Sequence, residues 1–251
     1  MSEGELDGRT ALVTGGSRGI GRSICLRLAS EGAKVAINYA TNPTAADSVK
    51  QEIESAGGTA ITVAADVSDP NQVGEAVEAA EAALGPIDLL VCSAGIAWFE
   101  PHTEMTYENW RRMMAVNVDG VFLPVMAIKD GMIERGFGRI VCLSSIAALA
   151  PRPMAIAYGT SKAAVIAFVR NCSYGFAPHV RINAIAPGLI ETDMGTSVAP
   201  DRREVMIQET PLKRIGQPEE IAELAFFLLS ERSSYTTGQT YVASGGRATL
   251  P

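Results

Sequence analysis

Several kinds of residue are scarce in this chain, and each scarcity closes off a class of function. Only two histidines, His102 and His179, occur in 251 residues, and neither has ligand-spaced partners. The four cysteines, Cys25, Cys92, Cys142 and Cys172, lie far apart and no pair shows metal-ligand spacing. Free buried thiols and no catalytic metal are the expectation. Basic residues are outnumbered, 21 Lys and Arg against 28 Asp and Glu, for a net charge of −7. Binding a phosphate backbone needs a basic face, so nucleic acid is not an expected partner. Long apolar runs are missing too: residues 221–229 are interrupted by Glu223 and are too short to span a bilayer. The first eight residues carry Glu3, Glu5 and Asp7 in place of the basic start and apolar stretch of a secretory signal. A cytoplasmic protein without a membrane partner is expected.

What remains is ordinary globular material, 47% apolar and 20% charged, arranged as an alternation of short apolar runs and helix-length segments. Strands are expected at about residues 11–14, 35–38, 59–65, 88–93, 139–144, 181–186 and 240–243. Helices are expected at about 19–30, 43–56, 70–84, 107–134 and 155–176, with one more opened by Gln217-Pro218. The strand runs are continuously apolar, as in a sheet buried on both faces, and their spacing implies crossover helices and parallel pairing. The fold class is therefore α/β: a single Rossmann-type domain over residues 1–251, with a doubly wound, parallel, seven-stranded sheet and helices on both faces. Residues 187–216 form the one long irregular stretch, with a short helix expected near 202–208. The part at about 188–216 is read as a cover over a ligand site.

Thr14-Gly15-Gly16-Ser17-Arg18-Gly19-Ile20-Gly21 directly follows the first strand and opens the first helix. Glycines let the backbone turn tightly and approach a pyrophosphate, which the free N–H groups of the helix N-terminus then bind. The second strand ends in Asn38-Tyr39-Ala40-Thr41 without the carboxylate that would bond the 2′-hydroxyl of NAD. Arg18 offers a guanidinium for a 2′-phosphate instead, although a solvated surface charge would read the same way. NADP(H) is favoured and NAD(H) remains possible.

Tyr158 and Lys162 stand four residues apart on an expected helix, so they share one face about 40° apart. A free phenol has a pKa of about 10. A nearby ammonium favours the phenolate, and reaching about 7 takes roughly 4 kcal/mol of differential stabilisation. Ser144-Ser145 closes the preceding strand, with Ser145 thirteen residues before Tyr158. Asn117 sits between Val116 and Val118 in the long helical region, an odd place for an amide in a plain core helix.

Together these residues resemble the short-chain dehydrogenase/reductase family, classical type, over about residues 6–246. The glycine spacing Thr-Gly-x-x-x-Gly-x-Gly resembles the family's cofactor loop, assigning Gly15, Ser17, Arg18, Gly19, Ile20 and Gly21 to the cofactor, with Asn38 and Tyr39 at the adenine ribose. Asp66-Val67 is similar to its adenine-contacting pair. Ser93-Ala94-Gly95 stands where the family has Asn-Ala-Gly, a departure that removes an amide. Pro187-Gly188, with Ile190 and Thr192, resembles its nicotinamide segment. Near the C-terminus, Ser244-Gly245-Gly246 replaces the family's Asp-Gly-Gly. The resemblance implies a catalytic set of Asn117, Ser145, Tyr158 and Lys162. Tyr158 would pass a proton, Ser145 would hold the substrate oxygen, Lys162 would bind the nicotinamide ribose and Asn117 would anchor a relay water.

The segments IAPGLIETDM (185–194) and LKRIGQPE (212–219) are most like those of 3-oxoacyl-[acyl-carrier-protein] reductases. That likeness implies a small carbonyl or alcohol, or an acyl thioester, as substrate. An acidic carrier would need a basic landing patch, for which Arg135, Arg139, His179 and Arg181 are the candidates. An NAD(H)-dependent sugar, polyol or other secondary-alcohol dehydrogenase is the alternative, and a non-catalytic dinucleotide sensor a remote one. Trp98, Met154, Met194 and residues 198–207 are pocket candidates. The resemblance implies a homotetramer, the family's common assembly; the apolar faces at 165–169 and 226–229 suit it, and a monomer core would read the same way.

Overall fold

The computed structural model describes residues 4–196 and 200–249. Seven strands pair in parallel in the order β3-β2-β1-β4-β5-β6-β7. They are β1 (Thr10–Thr14), β2 (Lys34–Tyr39), β3 (Thr59–Ala64), β4 (Leu89–Cys92), β5 (Gly138–Leu143), β6 (Val180–Pro187) and β7 (Thr240–Ala243). Every residue of β1, β4 and β6 is buried, as the unbroken apolar runs require of strands covered on both faces. The order reverses between β1 and β4, whose register pairs Thr14 with Cys92. An open parallel sheet binds its ligand in the crevice at such a reversal, beyond the carboxyl ends of the strands.

One face is covered by α1 (Gly19–Ser30), α2 (Pro43–Ser55) and α9 (Pro218–Leu229), which bury Ile24, Leu28, Val49, Ile53 and Phe226 against Val13, Val35 and Val91. The other is covered by α3 (Pro70–Leu84), α5 (Gly120–Glu134) and α6 (Ile156–Phe176), whose Val77, Val125, Met132 and Val169 pack on Leu12, Ala36, Leu90 and Ile182. Local chemistry sets the helix starts. Asn42 accepts from Ala45 N at 3.0 Å ahead of α2. Asp69 accepts from Asn71 N at 2.9 Å and Gln72 N at 3.2 Å ahead of α3. Gln217 and Glu220 close a capping box on α9. The start of α1 has no side-chain cap.

The expected helix over 107–134 is interrupted. It consists of α4 (Tyr107–Met114), a π turn (Ala115–Asp119) and α5. A π turn inserts one extra residue into the helical repeat and occurs most often at functional sites; here it holds Asn117. Beyond β6 the chain forms α7 (Asp193–Thr196), which the sequence did not signal, and α8 (Pro200–Glu209), which contains the expected helix. An isolated bridge joins Ile190 to Gly216 across the base of this excursion.

At the amino edge of the sheet, three of the four candidates for a basic patch are bonded within the chain. Arg181 is buried, and its guanidinium donates to Leu228 O at 3.0 Å, Ser230 O at 2.8 Å and Ser233 Oγ at 2.9 Å. It thereby caps the carboxyl end of α9. Arg139 pairs with Glu231 at 2.8 Å and stacks on Phe137. Arg135 donates to Ile87 O at 2.7 Å. Carbonyls left over at element ends attract these cations inward, which a reading of charge in sequence does not register. All four cysteines are free, and no cluster of His, Cys, Asp or Glu suited to a metal occurs among the described residues. No helix among them is long and apolar enough to cross a membrane.

Candidate active site at the carboxyl edge of the sheet

The glycine loop leaves β1 at the reversal of strand order. Gly15 (φ +64°) and Gly19 (φ +53°) hold left-handed conformations that side chains resist. A Cβ on Gly15 would stand 2.8 Å from Ala94 Cα, and one on Gly21 would stand 2.2 Å from Gly15 O. The loop is thus a bare backbone cradle at an uncapped helix start, a shape and charge suited to a pyrophosphate. Thr14 supports it from below, its hydroxyl accepting from Ser93 N at 3.1 Å and Ala94 N at 3.2 Å.

Around the cradle the expected cofactor residues divide. Asn38 is buried, its Oδ1 accepting from Gly15 N at 3.2 Å and its amide donating to Val63 O at 3.3 Å and Ala65 O at 3.1 Å. Its side chain is a strut joining β2, β3 and the loop. Tyr39, next along, is half-buried. Asp66 accepts from Ser68 N at 2.9 Å, Ser68 Oγ at 2.6 Å and Arg112 at 3.0 Å. Burial pushes its carboxyl up, but those hydrogen bonds and the Arg112 charge outweigh it and hold the group below its ordinary range. Val67 packs beside Gly120, where a Cβ would stand 2.6 Å from Val67 Cγ2. Arg18 is exposed and lies 3.7 Å from Asp193. Gly188 donates to Ala243 O at 2.8 Å. Ile190 is buried in the core, while Thr192 lies against the glycine loop, 3.2 Å from where a Gly19 Cβ would be.

Asn117, Ser145, Tyr158 and Lys162 converge. Ser145 follows β5, its Oγ accepting from Ala147 N at 3.1 Å, and its hydroxyl lies close enough to the half-buried Tyr158 to lower the phenol's pKa. Lys162, one turn along α6, is buried and donates to Leu143 O at 2.8 Å, with Nζ 5.9 Å from the Tyr158 ring centroid. Asn117 is fully buried. Its Oδ1 accepts from Ile96 N at 2.9 Å, and its Nδ2 lies 2.9 Å from Ile96 O and 3.0 Å from Ser161 Oγ. Ser161 in turn donates to Tyr158 O at 2.8 Å. Gly95 fits between them: a Cβ there would stand 3.2 Å from Asn117 Oδ1 and 3.3 Å from Lys162 Nζ. Ser161 and the packing role of Gly95 escaped the sequence reading. The first lies inside the Tyr-to-Lys interval and carried no separate signal.

Electrostatics depart from the expectation in one respect. Burial pushes the Tyr158 phenol above its ordinary 10, and the Ser145 hydrogen bond only partly offsets this. The same burial pushes Lys162 down to about 8. Desolvation of the phenolate therefore outweighs the neighbouring ammonium, whose proton is directed onto a carbonyl. Of the pocket candidates, Trp98, Met154 and Met194 are exposed, and Phe99 meets the Tyr158 ring edge-on with centroids 6.0 Å apart. Val198 lies outside the described residues.

A dinucleotide cradle at a sheet reversal beside a Ser–Tyr–Lys–Asn cluster defines an oxidoreductase of the short-chain dehydrogenase/reductase type, and the chain belongs to that family. Residues 15–248 match the family model described as enoyl-(acyl carrier protein) reductase. The chain is 39% identical to a 3-oxoacyl-[acyl-carrier-protein] reductase of Synechocystis, covering 96% of this chain and 97% of that one. It is 36% identical to glucose 1-dehydrogenase 2 of Bacillus subtilis, over 98% and 97% of the two chains. A solved 7α-hydroxysteroid dehydrogenase, complexed with NADH and 7-oxo glycochenodeoxycholic acid, superposes with a TM-score of 0.94 at 34% identity, covering 98% of this chain and 97% of that one.

Proposed function

We propose that the protein is an NADP(H)-dependent ketoreductase in which Tyr158 is the proton donor. The convergence of Ser145 and the buried Lys162 on Tyr158, with Lys162 Nζ 5.9 Å from the Tyr158 ring centroid, carries this reading. In reduction, Ser145 and Tyr158 together hold the substrate oxygen, and Tyr158 gives its proton as negative charge develops there. A phenol held above its ordinary pKa is protonated at neutral pH, the state that this step needs. Asn117 fixes residue 96 and Ser161, and through them the turn of α6 that carries Tyr158. A nicotinamide held there would supply the hydride and, in its oxidised form, a positive charge favouring the phenolate. Gly15, Gly19 and Gly21 receive its pyrophosphate, Asp66 and Val67 its adenine, and Lys162 its ribose. Gly188 and Thr192 would border the nicotinamide, and the described parts of residues 188–216 would cover the substrate.

NADP(H) is favoured over NAD(H) because no carboxylate ends β2 and Arg18 is exposed beside the cradle. The test is oxidation of NADPH and of NADH against a panel of carbonyls, for the parent and for Tyr158→Phe. The parent should prefer NADPH. The variant should bind NADPH normally and lose at least ~10²-fold in kcat. Undiminished turnover by that variant refutes the assignment.

A further inference from the structure

Two wall segments flank Tyr158, and neither is built to hold hydroxyl groups. Residues 94–99 read Ala-Gly-Ile-Ala-Trp-Phe, with the Trp98 indole N–H as their only polar side-chain group. Residues 146–157, joining Ser145 to Tyr158, read Ile-Ala-Ala-Leu-Ala-Pro-Arg-Pro-Met-Ala-Ile-Ala, where Arg152 is the only polar side chain among twelve. The two segments are tied together, Glu100 N donating to Met154 O at 2.9 Å. Glu100, the first carboxylate past the wall, accepts from Asn109 Nδ2 at 2.9 Å. Phe99 places its ring edge-on to Tyr158, and Trp98, Phe99 and Met154 are 39%, 51% and 48% exposed. Large apolar side chains left this open beside a polar reacting group are suited to be covered by a ligand.

A polyol bound there would lose water from several hydroxyls and find almost no side-chain partner for them in these two segments, and each unpaired buried hydroxyl is costly. An apolar group would cover the exposed rings at no such cost. The opposite edge adds a second constraint. Arg139 and Arg181, the basic residues nearest the starts of β5 and β6, are bonded to Glu231 and to the carbonyls ending α9. They are not free to receive an acidic carrier.

We infer that the substrate is a free ketone whose carbonyl is flanked by an apolar or aromatic group that lies on Phe99, and that Phe99 is a specificity-determining residue. The inference rests on the ketoreductase reading and narrows its substrate class.

The experiment compares kcat/KM for matched carbonyls with NADPH and with NADH. Its probes are an aryl alkyl ketone, the same ketone with one added hydroxyl on the apolar group, a ketose, and a 3-oxoacyl thioester presented alone and on an acyl carrier protein. The aryl ketone should exceed its hydroxylated analogue by about 10²-fold, the discrimination typical of an apolar pocket against an added hydroxyl. The carrier should give the thioester no advantage. Phe99→Ala should raise KM for the aryl ketone more than it lowers kcat, and Phe99→Leu should restore most of the loss, which a general folding defect would not do. A ketose turned over as well as the aryl ketone, or a large gain on the carrier, overturns this inference and leaves the ketoreductase reading intact. Silence of every carbonyl with both cofactors overturns the two together.

Discussion

Two buried cations lie at opposite edges of the same sheet, and the fold treats them differently. At the amino edge, Arg181 donates to two carbonyls and a hydroxyl within 3.0 Å, completing the end of α9. At the carboxyl edge, Lys162 has one close acceptor, Leu143 O, and burial holds it at about 8. Arg181 is also pushed down by burial, to about 10, yet it keeps its charge at any physiological pH. Arg181 gives both terminal nitrogens to acceptors and leaves only its buried Nε unpaired, whereas Lys162 gives one donor to Leu143 O and is proposed to keep the others for a ligand. The contrast separates a charge that stabilises the fold from one that the fold tolerates.

Breaking the amino-edge cation should have the largest effect. Arg181→Leu leaves Leu228 O and Ser230 O with only the Ser233 hydroxyl as side-chain donor, a cost of about 3 kcal/mol. Thermal unfolding should move down by about 10 °C. Activity per folded molecule should not change, and a fall in kcat without a fall in Tm would erase the distinction between the two edges.

Lys162→Met should do the reverse. Turnover should fall by at least ~10²-fold, in line with loss of a group that supports the proton donor. Stability at pH 7 should rise. Lys162 titrates at about 8 when folded against 10.5 ordinarily, so the unfolded chain binds the extra proton between those values. The resulting cost, about 3 kcal/mol, is fully present below pH 8 and is relieved as pH rises towards 10.5. Subtracting the hydrogen bond to Leu143 O leaves a net gain of about 1–2 kcal/mol for the variant. Urea midpoints measured at pH 7 and pH 10 check the sign, since the advantage of the variant should shrink at the higher pH. An advantage that grows with pH would contradict the burial of a charged lysine.

The sheet was legible because its strands are apolar runs punctuated by glycine, proline and capping residues. The bounds expected for α1 and β7 coincide with those observed, and Asp69 caps α3 as its position before Pro70 requires. What escaped the sequence depends on partners distant along the chain. The π turn accompanies the bonds of Asn117 to residue 96 and Ser161, and no periodicity within 107–134 encodes them. Asn38 reads as a strand-end polar residue facing a ligand, but its amide completes the backbone bonding of β3 and the glycine loop. Arg181 reads as a surface charge until the end of α9 is placed beside it. Polar residues at element ends were thus the least predictable, because their burial depends on which unpaired backbone groups arrive there.

A smaller effect is expected where the two edges' logic meets on the surface. Arg112, on α4, bonds Asp66 at 3.0 Å and Ser68 Oγ at 2.9 Å, so it is the cation that positions the proposed adenine contact. Its side chain is 48% exposed, which limits the pair to about 1 kcal/mol or less. Arg112→Ala should therefore weaken dinucleotide binding by about two- to fivefold, with kcat unchanged. The difference should fade in high salt, where exposed pairs are screened. Titrating NADPH against parent and variant at low and high salt measures both. Should kcat fall while the cofactor affinity holds, Arg112 acts through the π turn that follows α4, and hence on Asn117, instead of through Asp66.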